Sequence, residues 1–298
     1  MVVSRILVTG INSPLGQAVG RKLQAEGHTV VGTVRSSKIK TQGLPANELV
    51  ELDLDKKDSF ANILGTFTAF VHVAGMSIGN ATDLMMSTGL GTYHLVSRAK
   101  ELSLPRLIHI SSMAVYGLGT EEVIGEQSPI PHGNAYHTAR WAAECYLKSE
   151  CGQIEVISIR SPAIAGTLTH NHFLSKVLAK MLAQDAIINA TNPEFGFNNI
   201  VHEDVIAEFI STLLDAESLP RYRAVPIGSL DPIPLREIID VMAKATNYTG
   251  QIDWVEPKSP PFRIDSTGAI ELGYKPITTL ETVNRWMHDA LNLSDQQG

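Results

Sequence analysis

The sequence predicts an α/β protein built on a doubly wound parallel sheet, with a smaller C-terminal lid. Short apolar runs alternate with longer amphipathic stretches through the first half of the chain. Strand and helix in alternation favour a parallel sheet covered by helices on both faces. The runs are nearly continuous in Val, Ile and Leu, which is typical of strands buried on both sides.

The first half contains apolar runs of strand length and amphipathic stretches of helix length. The predicted strands are Arg5–Val8, Thr29–Val34, Glu48–Leu52, Ala69–Val73, Leu107–Ile110 and Val156–Ile159. The predicted helices between these strands are Leu15–Ala25, Leu84–Glu101 and Tyr136–Lys148.

Prolines divide the second half into shorter elements. Its helical patterns cover Phe173–Leu182, Val205–Leu214, Leu235–Ala245 and Leu280–Leu291. We predict a dinucleotide-binding domain over residues 1–165, to which residues 197–228 return. Residues 166–196 and 229–298 are expected to form a substrate-binding lid over the carboxyl edge of the sheet, where open α/β folds bind ligands.

The composition argues against several classes of partner. Of the 298 residues, 44% are hydrophobic and 18% are charged, and the formal net charge is -7. No block of Lys or Arg stands out, so we expect neither nucleic acid nor an acidic membrane surface as a partner. Cys145 and Cys151 are expected to be free thiols, which fits a reducing compartment. Without a bilayer-spanning apolar stretch or a signal-peptide pattern, we expect a soluble, cytoplasmic protein.

The first strand runs into a turn of mostly small residues between Gly10 and Gly16. Gly10 permits a tight turn, and Gly16 permits close packing of the next helix on the strand. The amino terminus of that helix presents free N–H groups to a pyrophosphate. Ser13 replaces the usual middle glycine, but its small side chain still lets the backbone approach phosphate. The turn predicts a Rossmann-type dinucleotide site formed by Gly10, Asn12, Ser13, Leu15 and Gly16.

The end of the second strand indicates which dinucleotide binds. An acidic residue there would bind the ribose 2′-hydroxyl of NAD, but no acid appears before Glu48. Arg35 is placed to pair with a 2′-phosphate, and Ser36 can donate a hydrogen bond to it. A solvated loop arginine is the alternative interpretation of Arg35. The sequence therefore favours NADP, with NAD as the alternative.

Tyr136 and Arg140 lie four residues apart at the start of a predicted helix, so they share one face. A free tyrosine has a pKa near 10, too high for a ready base at neutral pH. A fixed cation beside a tyrosine favours the phenolate. Ser111 and Ser112, at the end of the fifth predicted strand, can supply a hydroxyl that holds a substrate oxygen. This pattern predicts an acid/base site centred on Tyr136.

These motifs resemble the extended short-chain dehydrogenase/reductase family, in its NAD-dependent epimerase/dehydratase group. The resemblance runs nearly end to end, through Val50–Asp53, His72–Gly75, Gly91–Thr92, Ser111–Gly117, Glu126, Tyr136, Glu144, Arg160–Gly166, Val201–Val205 and Leu272–Pro276. It implies a catalytic Ser112 that acts with Tyr136 and Arg140. It also implies cofactor contacts from Asp53, Leu54, Val73, Ala74, Gly75, Tyr136, Arg140, Pro162 and Ala163.

Three residues depart from the family pattern. Arg140 stands where the catalytic lysine would be. Arginine is always charged, so it can support a phenolate and bind ribose but cannot pass a proton on. Thr88 replaces the usual asparagine before Gly91–Thr92. Asn198 stands where nucleotide-sugar enzymes often carry an arginine for the diphosphate, which argues against a nucleotide-sugar substrate.

The residues predict an NADP-preferring oxidoreductase acting on a small carbonyl or alcohol, with hydride moving to or from the nicotinamide. A nucleotide-sugar epimerase or dehydratase stays open, because the landmarks of the resemblance fit it. A dinucleotide-binding sensor or scaffold with little catalysis also stays open. Ser13 and Arg140 motivate this last alternative, since both depart from the usual machinery.

Two further expectations concern metals and assembly. No metal site is expected, because His170 and His172 lack an acid cluster with ligand spacing. The resemblance implies a homodimer in which helices Leu84–Glu101 and Tyr136–Lys148 pair across a two-fold axis.

Overall fold

The structure is a computed structural model that describes residues 3–36, 41–117, 121–166, 172–257 and 260–295. Its strands are β1 (Arg5–Thr9), β2 (Thr29–Val34), β3 (Glu48–Glu51), β4 (Ala69–His72), β5 (Arg106–Ser112), β6 (Val123–Ile124), β7 (Glu155–Ser161), β8 (Ala163–Ala165), β9 (Ile187–Ala190), β10 (Gly196–Phe197), β11 (Ile200–His202), β12 (Tyr222–Pro226), β13 (Ile233–Pro234), β14 (Gln251–Trp254) and β15 (Arg263–Ile264). Its α-helices are α1 (Pro14–Ala25), α2 (Ala81–Leu84), α3 (Gly91–Glu101), α4 (Ala135–Glu150), α5 (Phe173–Leu182), α6 (Glu203–Asp215), α7 (Leu235–Ala245), α8 (Thr267–Glu271) and α9 (Thr279–Asp295).

Seven strands form one large sheet in the order β12-β7-β5-β4-β1-β2-β3. Every neighbouring pair in this sheet is parallel. The order reverses between β1 and β4, so the loops that follow these two strands open a crevice at the carboxyl edge. The predicted fold class, a doubly wound parallel sheet, is confirmed.

Side chains of β1 alternate between two hydrophobic cores, one on each face of the sheet. Ile6 and Val8 belong to the core beneath α1 and α6, and Leu7 belongs to the core beneath α3 and α4. This alternation follows from the two-residue repeat of a strand. A third core joins α5, α7 and α9 and includes Leu178, Ile238 and Trp286. It lies in the C-terminal part that the sequence assigns to the lid.

Two of the differences from the sequence prediction concern the large sheet and the helices that cover it. The predicted helix Leu84–Glu101 begins at Ala81 and contains a π-helical turn, Met85–Leu90, between α2 and α3. Within this turn the Thr88 hydroxyl accepts a hydrogen bond from the Met76 N–H at 3.1 Å. Strand β12 was not predicted because it ends in Pro226, and a proline in a strand is tolerated at a sheet edge, where β12 lies.

No helix within the described ranges is both long and apolar enough to cross a bilayer. Both cysteines carry free thiols, with Cys145 exposed and Cys151 buried. The metal-site expectation involves His170, which lies outside the described residues.

Candidate active site

The turn after β1 packs closely against the loop after β4. Gly10 has a φ of +69°, and an added Cβ would lie 3.1 Å from the Ala74 Cα. Glycine is favoured here because other residues rarely adopt a positive φ. A Cβ on Gly16 would collide with the Gly10 carbonyl oxygen. The two glycines therefore let α1 begin directly over the end of β1.

Helix α1 presents its amino terminus to the crevice. Ser13 is the N-cap, and its hydroxyl accepts a hydrogen bond from the Gly16 N–H at 3.1 Å. Pro14 has no N–H, and the first turn contains no acidic residue. The Leu15 N–H has no partner within the helix and can bind an anion, with the positive end of the helix dipole behind it. Serine at position 13 thus stabilises the helix start without blocking it.

Tyr136 and Arg140 lie on one face of α4. Asn134 caps this helix, because its side-chain oxygen accepts a hydrogen bond from the His137 N–H at 3.0 Å. The guanidinium carbon of Arg140 lies 5.4 Å from the centroid of the Tyr136 ring, within the range of a cation–π contact. The Arg140 Nη1 donates to the Ile110 carbonyl at 3.0 Å. The cation is therefore fixed against the tyrosine ring.

Gly75 leaves the space that the Arg140 guanidinium fills. A Cβ on Gly75 would lie 3.2 Å from both Nη1 and Nη2 of Arg140. Arg140 is only 7% exposed, so its head group has little room to move. Its Nε has no hydrogen-bond partner among the described residues. One buried N–H of the guanidinium is thus available to a ligand oxygen.

Ser112 and Ser111 end β5 and have different partners. The Ser112 Oγ accepts a hydrogen bond from the Ala114 N–H at 3.1 Å, which leaves its hydroxyl proton for a substrate oxygen. The Ser111 hydroxyl donates to the buried Glu144 carboxylate at 2.5 Å. Ser112 is half-buried and Ser111 is buried. The hydroxyl of Ser112 is the better placed of the two to act on a substrate.

A cavity of about 190 Å³ joins several of these side chains, and we name it the reaction cavity. Seven of the predicted residues line it, and they come from five separate segments of the chain: Ser13, Leu15, Val73, Ser112, Tyr136, Arg140 and Pro162. The helix start that can hold a phosphate and the tyrosine that can move a proton thus share one cavity.

Four other walls of the reaction cavity were not predicted from the sequence. Ser111, the second predicted hydroxyl donor, also lines the cavity, together with the unpredicted Pro14, Ile110, Ser161 and Ile164. Each is a sequence neighbour of a predicted residue, so chain adjacency was the signal that could have identified them. Ser161 and Ile164 flank the short segment between β7 and β8.

A buried ion pair supports the strand that carries the two serines. Arg160 makes a bidentate contact with Glu144, with Nε–Oε1 and Nη2–Oε2 distances of 3.1 Å and 2.7 Å. The Arg160 Nη1 also donates to the Tyr116 hydroxyl at 2.6 Å. Glu144 is fully buried, and it also accepts the Ser111 hydrogen bond. This network connects α4, β5 and β7 directly behind the reaction cavity.

Two buried histidines lie side by side across β4 and β5. His72 contacts the Thr9 hydroxyl through Nδ1 at 2.8 Å and the Thr92 hydroxyl through Nε2 at 3.0 Å. The Thr9 hydroxyl in turn accepts the Ala74 N–H at 3.1 Å. Burial, with the nearby charge of Arg140, lowers the pKa of His72 to about 3. Burial also lowers the pKa of His109 well below its usual value, so both rings are neutral at physiological pH.

The remaining predicted cofactor residues do not line the reaction cavity. Gly10, Asn12 and Gly16 belong to the turn above β1, and Ala74, Gly75 and Ala163 follow β4 and β7. Arg35 is exposed just beyond β2, and Ser36 is half-buried beside it. The Asp53 carboxylate pairs with Lys56 at 3.2 Å. The Leu54 side chain is buried in the hydrophobic core, so a cofactor contact there would have to come from its backbone.

The Asn198 side chain forms hydrogen bonds with backbone groups of the C-terminal part. Its Nδ2 donates to the carbonyls of Ser229 and Ile264 at 3.2 Å and 2.9 Å, and its Oδ1 accepts the Ile264 N–H at 2.9 Å. The side chain is 3% exposed. Asn198 therefore has no hydrogen-bonding capacity facing a ligand, whereas its neighbour Asn199 lines a second cavity, of about 520 Å³.

Comparison with known proteins places this geometry among related folds. The model of the NAD dependent epimerase/dehydratase family matches residues 6–199. The chain is 25% identical over 198 residues to the dTDP-D-glucose 4,6-dehydratase of Bos taurus, covering 64% of this chain and 54% of that protein. It spans between 54% and 62% of the length of the three mammalian proteins of this name. The match to Protein CapI of Staphylococcus aureus, 19% identical, covers 95% of this chain and 97% of that protein.

Solved structures share the whole fold. The UDP-Glc/GlcNAc 4-epimerase of Campylobacter jejuni superposes with a TM-score of 0.82 at 18% identity, covering 98% of this chain and 99% of that one. The Bordetella bronchiseptica enzyme WbmG, solved in complex with NAD and UDP, superposes with a TM-score of 0.83 at 18% identity. That match covers 100% of this chain and 96% of WbmG.

Proposed function

This chain belongs to the NAD dependent epimerase/dehydratase family, and we propose that it is an NADP-preferring oxidoreductase that reduces a small carbonyl compound or oxidises the corresponding alcohol. The observation that carries the proposal is the shared reaction cavity, in which Ser112, Tyr136 and Arg140 meet the start of α1. The first two can hold and protonate one substrate oxygen, and the helix start can hold a phosphate group.

The residues present fit a dinucleotide. Gly10 and Gly16 leave no side chain between the turn and the loop after β4, so the backbone can approach a pyrophosphate. The Leu15 N–H faces it at the positive end of α1. The buried Nε of Arg140, which has no partner among the described residues, suits a ribose hydroxyl. When bound, the nicotinamide would supply or accept a hydride at its C4.

Side chains of this protein then transfer the proton. Tyr136 gives its hydroxyl proton to the substrate oxygen during reduction and takes it back during oxidation. Ser112 donates a hydrogen bond to the same oxygen and holds it in line. Arg140, fixed 5.4 Å from the Tyr136 ring, stabilises the phenolate that remains. Because arginine does not release a proton at neutral pH, Tyr136 is reprotonated from solvent.

Arg35 supports the preference for NADP. It is exposed at the carboxyl end of β2, the position where an acidic residue would bind the ribose of NAD. A guanidinium there favours a 2′-phosphate, with which it can form two parallel hydrogen bonds. Members of this family are described as NAD dependent, so the preference is a property proposed for this chain.

A second candidate function is a nucleotide-sugar dehydratase or epimerase. The names of the relatives favour it, since they include dTDP-D-glucose 4,6-dehydratases and a UDP-Glc/GlcNAc 4-epimerase. The internal use of Asn198, which bonds three backbone groups, argues against it. This chain has no arginine at that position for a diphosphate.

The two candidates differ in how they use the cofactor. An epimerase regenerates its cofactor within each turnover, so freshly purified protein should release stoichiometric NAD when it is denatured and analysed by mass spectrometry. A reductase exchanges its cofactor every cycle, so the site should be empty and take up NADPH in preference to NADH. If the site prefers NADPH, a carbonyl panel assayed by NADPH absorbance would identify the substrate. Tightly held NAD would contradict the oxidoreductase proposal.

We also infer a homodimer formed through α3 and α4. Within one chain, Tyr93 of α3 and Tyr146 of α4 pack with ring centroids 5.3 Å apart, so the two helices present one joint face, on which Cys145 is exposed. Light scattering on the eluted protein should give twice the chain mass, and the monomer mass would contradict the inference.

A further inference from the structure

The second cavity, which we name the aromatic cavity, differs in chemistry from the reaction cavity. Four phenylalanines and three prolines contribute to its walls: Phe173, Phe195, Phe197, Phe262, Pro257, Pro260 and Pro261. Its volume of about 520 Å³ lies within the range of small-molecule sites. Phe173 is 42% exposed and Val255, also in the wall, is 45% exposed. Apolar surface is thus left uncovered inside a concave site.

The charges around the aromatic cavity do not favour an anion. Glu256 is the charged side chain among the described residues that line it. Two arginines adjoin wall residues in the chain, and each is paired with a carboxylate. Arg236 Nε lies 3.0 Å from Glu194, and Arg263 Nη2 lies 2.6 Å from Glu122. A phosphate entering this space would meet a carboxylate and cations that are already paired.

The polar groups of the aromatic cavity suit a neutral ligand. Asn199 lines it, and the Asn199 Oδ1 is buried without a hydrogen-bond partner among the described residues. A buried acceptor left unpaired is unfavourable, so a hydroxyl or amide donor from a ligand that reached the Asn199 Oδ1 would stabilise the complex. Thr191 and Asn192 add further uncharged groups.

The two cavities adjoin along one short strand. Pro162 lines the reaction cavity, and its neighbour Ala163 donates its N–H to the Asn199 carbonyl at 3.3 Å. Asn199 in turn lines the aromatic cavity. Strand β8 therefore separates the position of the reacting oxygen from the aromatic walls by a few residues. The walls of the two cavities are thus joined by this hydrogen bond.

From these observations we infer that the substrate is an uncharged carbonyl or alcohol with an aromatic or similarly apolar body, which binds in the aromatic cavity and carries no phosphate. This inference rests on the proposed function, in which Tyr136 transfers a proton to or from the substrate oxygen. It describes the remaining part of that substrate molecule. In the reduction, the hydride adds to the carbonyl carbon, Tyr136 protonates the oxygen, and NADPH becomes NADP. In the oxidation, each of these transfers is reversed.

Binding to the full chain saturated with NADP tests the inference without turnover, since a ketone and the oxidised cofactor cannot react together. Titration calorimetry would compare benzylacetone with butanone, which lacks the ring, and with UDP. Burial of a phenyl ring removes apolar surface from water, so benzylacetone should bind at least about ten-fold more tightly than butanone, or ~1.4 kcal/mol. UDP should not bind.

Two variants localise the effect. Phe262→Ala should remove most of the preference for the ring, while Leu182→Ala should not change it. Leu182 is a matched control because it is 48% exposed at the end of α5 and is not among the wall residues. Equal binding of the two ketones, or a preference unchanged in Phe262→Ala, would overturn the inference. So would UDP binding more tightly than benzylacetone.

The proposed function has a separate outcome in this experiment. If benzylacetone binds with the expected preference but no carbonyl compound consumes NADPH, the assignment of the cavity stands and the oxidoreductase proposal fails. If NADPH is consumed in a Tyr136-dependent reaction but UDP is the tighter ligand, the oxidoreductase proposal stands and the cavity assignment fails.

Discussion

The guanidinium of Arg140 occupies the space that a side chain on Gly75 would need, since a Cβ there would lie 3.2 Å from both Nη1 and Nη2. The two residues belong to different elements, α4 and the loop after β4, and they meet at the edge of the reaction cavity. A glycine at position 75 therefore leaves the Arg140 guanidinium room that any side chain there would reduce. Arginine here is accommodated by its surroundings and contacts the Tyr136 ring.

Gly75→Ala should displace the Arg140 guanidinium and lower turnover. Overpacking of this kind typically costs about 1–3 kcal/mol, equivalent to roughly a ten-fold or larger loss in kcat/KM if the strain falls on the phenolate contact. The smaller ammonium head of Arg140→Lys should relieve the clash, so the double variant should recover part of the loss. Additive losses in this double-mutant cycle would show that the two positions do not interact.

Arg35→Ser should weaken binding of NADPH and leave NADH binding nearly unchanged. The guanidinium has an effect only where a 2′-phosphate is present, so NADH serves as the control within the same protein. Loss of a phosphate contact is expected to raise the KM for NADPH about ten-fold, or ~1.4 kcal/mol. Steady-state kinetics with both cofactors measure the ratio. An equal effect on the two cofactors would indicate that Arg35 is a solvated surface residue.

Glu144→Gln should destabilise the protein strongly. The substitution leaves the Arg160 guanidinium buried without its bidentate carboxylate, and breaking a buried pair in this way costs about 3–5 kcal/mol. Glu150→Gln is the matched control. Its pair with Lys100, at 3.0 Å, is solvent-exposed and should contribute below ~1 kcal/mol. Urea unfolding of the two variants should separate them clearly, and equal midpoints would contradict the role assigned to Glu144.

Acid should destabilise the fold through the buried histidines. In the unfolded chain an imidazole takes up a proton below a pKa near 6.5, whereas the pKa of folded His72 is about 3. Between these values the unfolded state binds more protons, so the free energy of unfolding falls as the pH falls through this window. Each such histidine contributes up to ~1.4 kcal/mol per pH unit.

A variant isolates the contribution of one ring. The His109 Nε2 has no partner among the described residues, and its Nδ1 lies 3.1 Å from the buried Ser158 Oγ. His109→Leu therefore removes a titrating group together with this one hydrogen bond. Urea unfolding at pH 7 and pH 5 should show a smaller loss of stability on acidification in this variant than in the wild type. An unchanged loss would show that His109 does not contribute to the pH dependence.

The order of strands and helices in the first half of the chain could be predicted, because each main strand is buried on both faces and the strands alternate with amphipathic helices. The site was partly predictable for the same reason, since residues at the carboxyl ends of parallel strands meet at one edge. Contacts between residues far apart in the chain could not be predicted from these local patterns. Nothing in the local pattern places Gly75 against Arg140, or fixes Asn198 between the backbones of Ser229 and Ile264.

The aromatic cavity was less predictable. Its walls come from four separate segments, around Phe173, Phe195, Leu235 and Pro257, and phenylalanine or proline in a loop carries no periodic signal. Strand β12 escaped prediction because its proline lies at a sheet edge, where the missing N–H costs nothing. Both cases depend on what surrounds a residue in space, which its sequence neighbours do not determine.

Proton transfer by Tyr136 is tested most directly by the turnover of Tyr136→Phe, with NADPH affinity measured on the same sample. We expect that removing the Tyr136 hydroxyl abolishes nearly all carbonyl reduction, because the substrate oxygen loses its proton donor. The affinity for NADPH should change little, since the helix start and Arg140 remain. A variant that retains full turnover would contradict the central claim that Tyr136 transfers the proton.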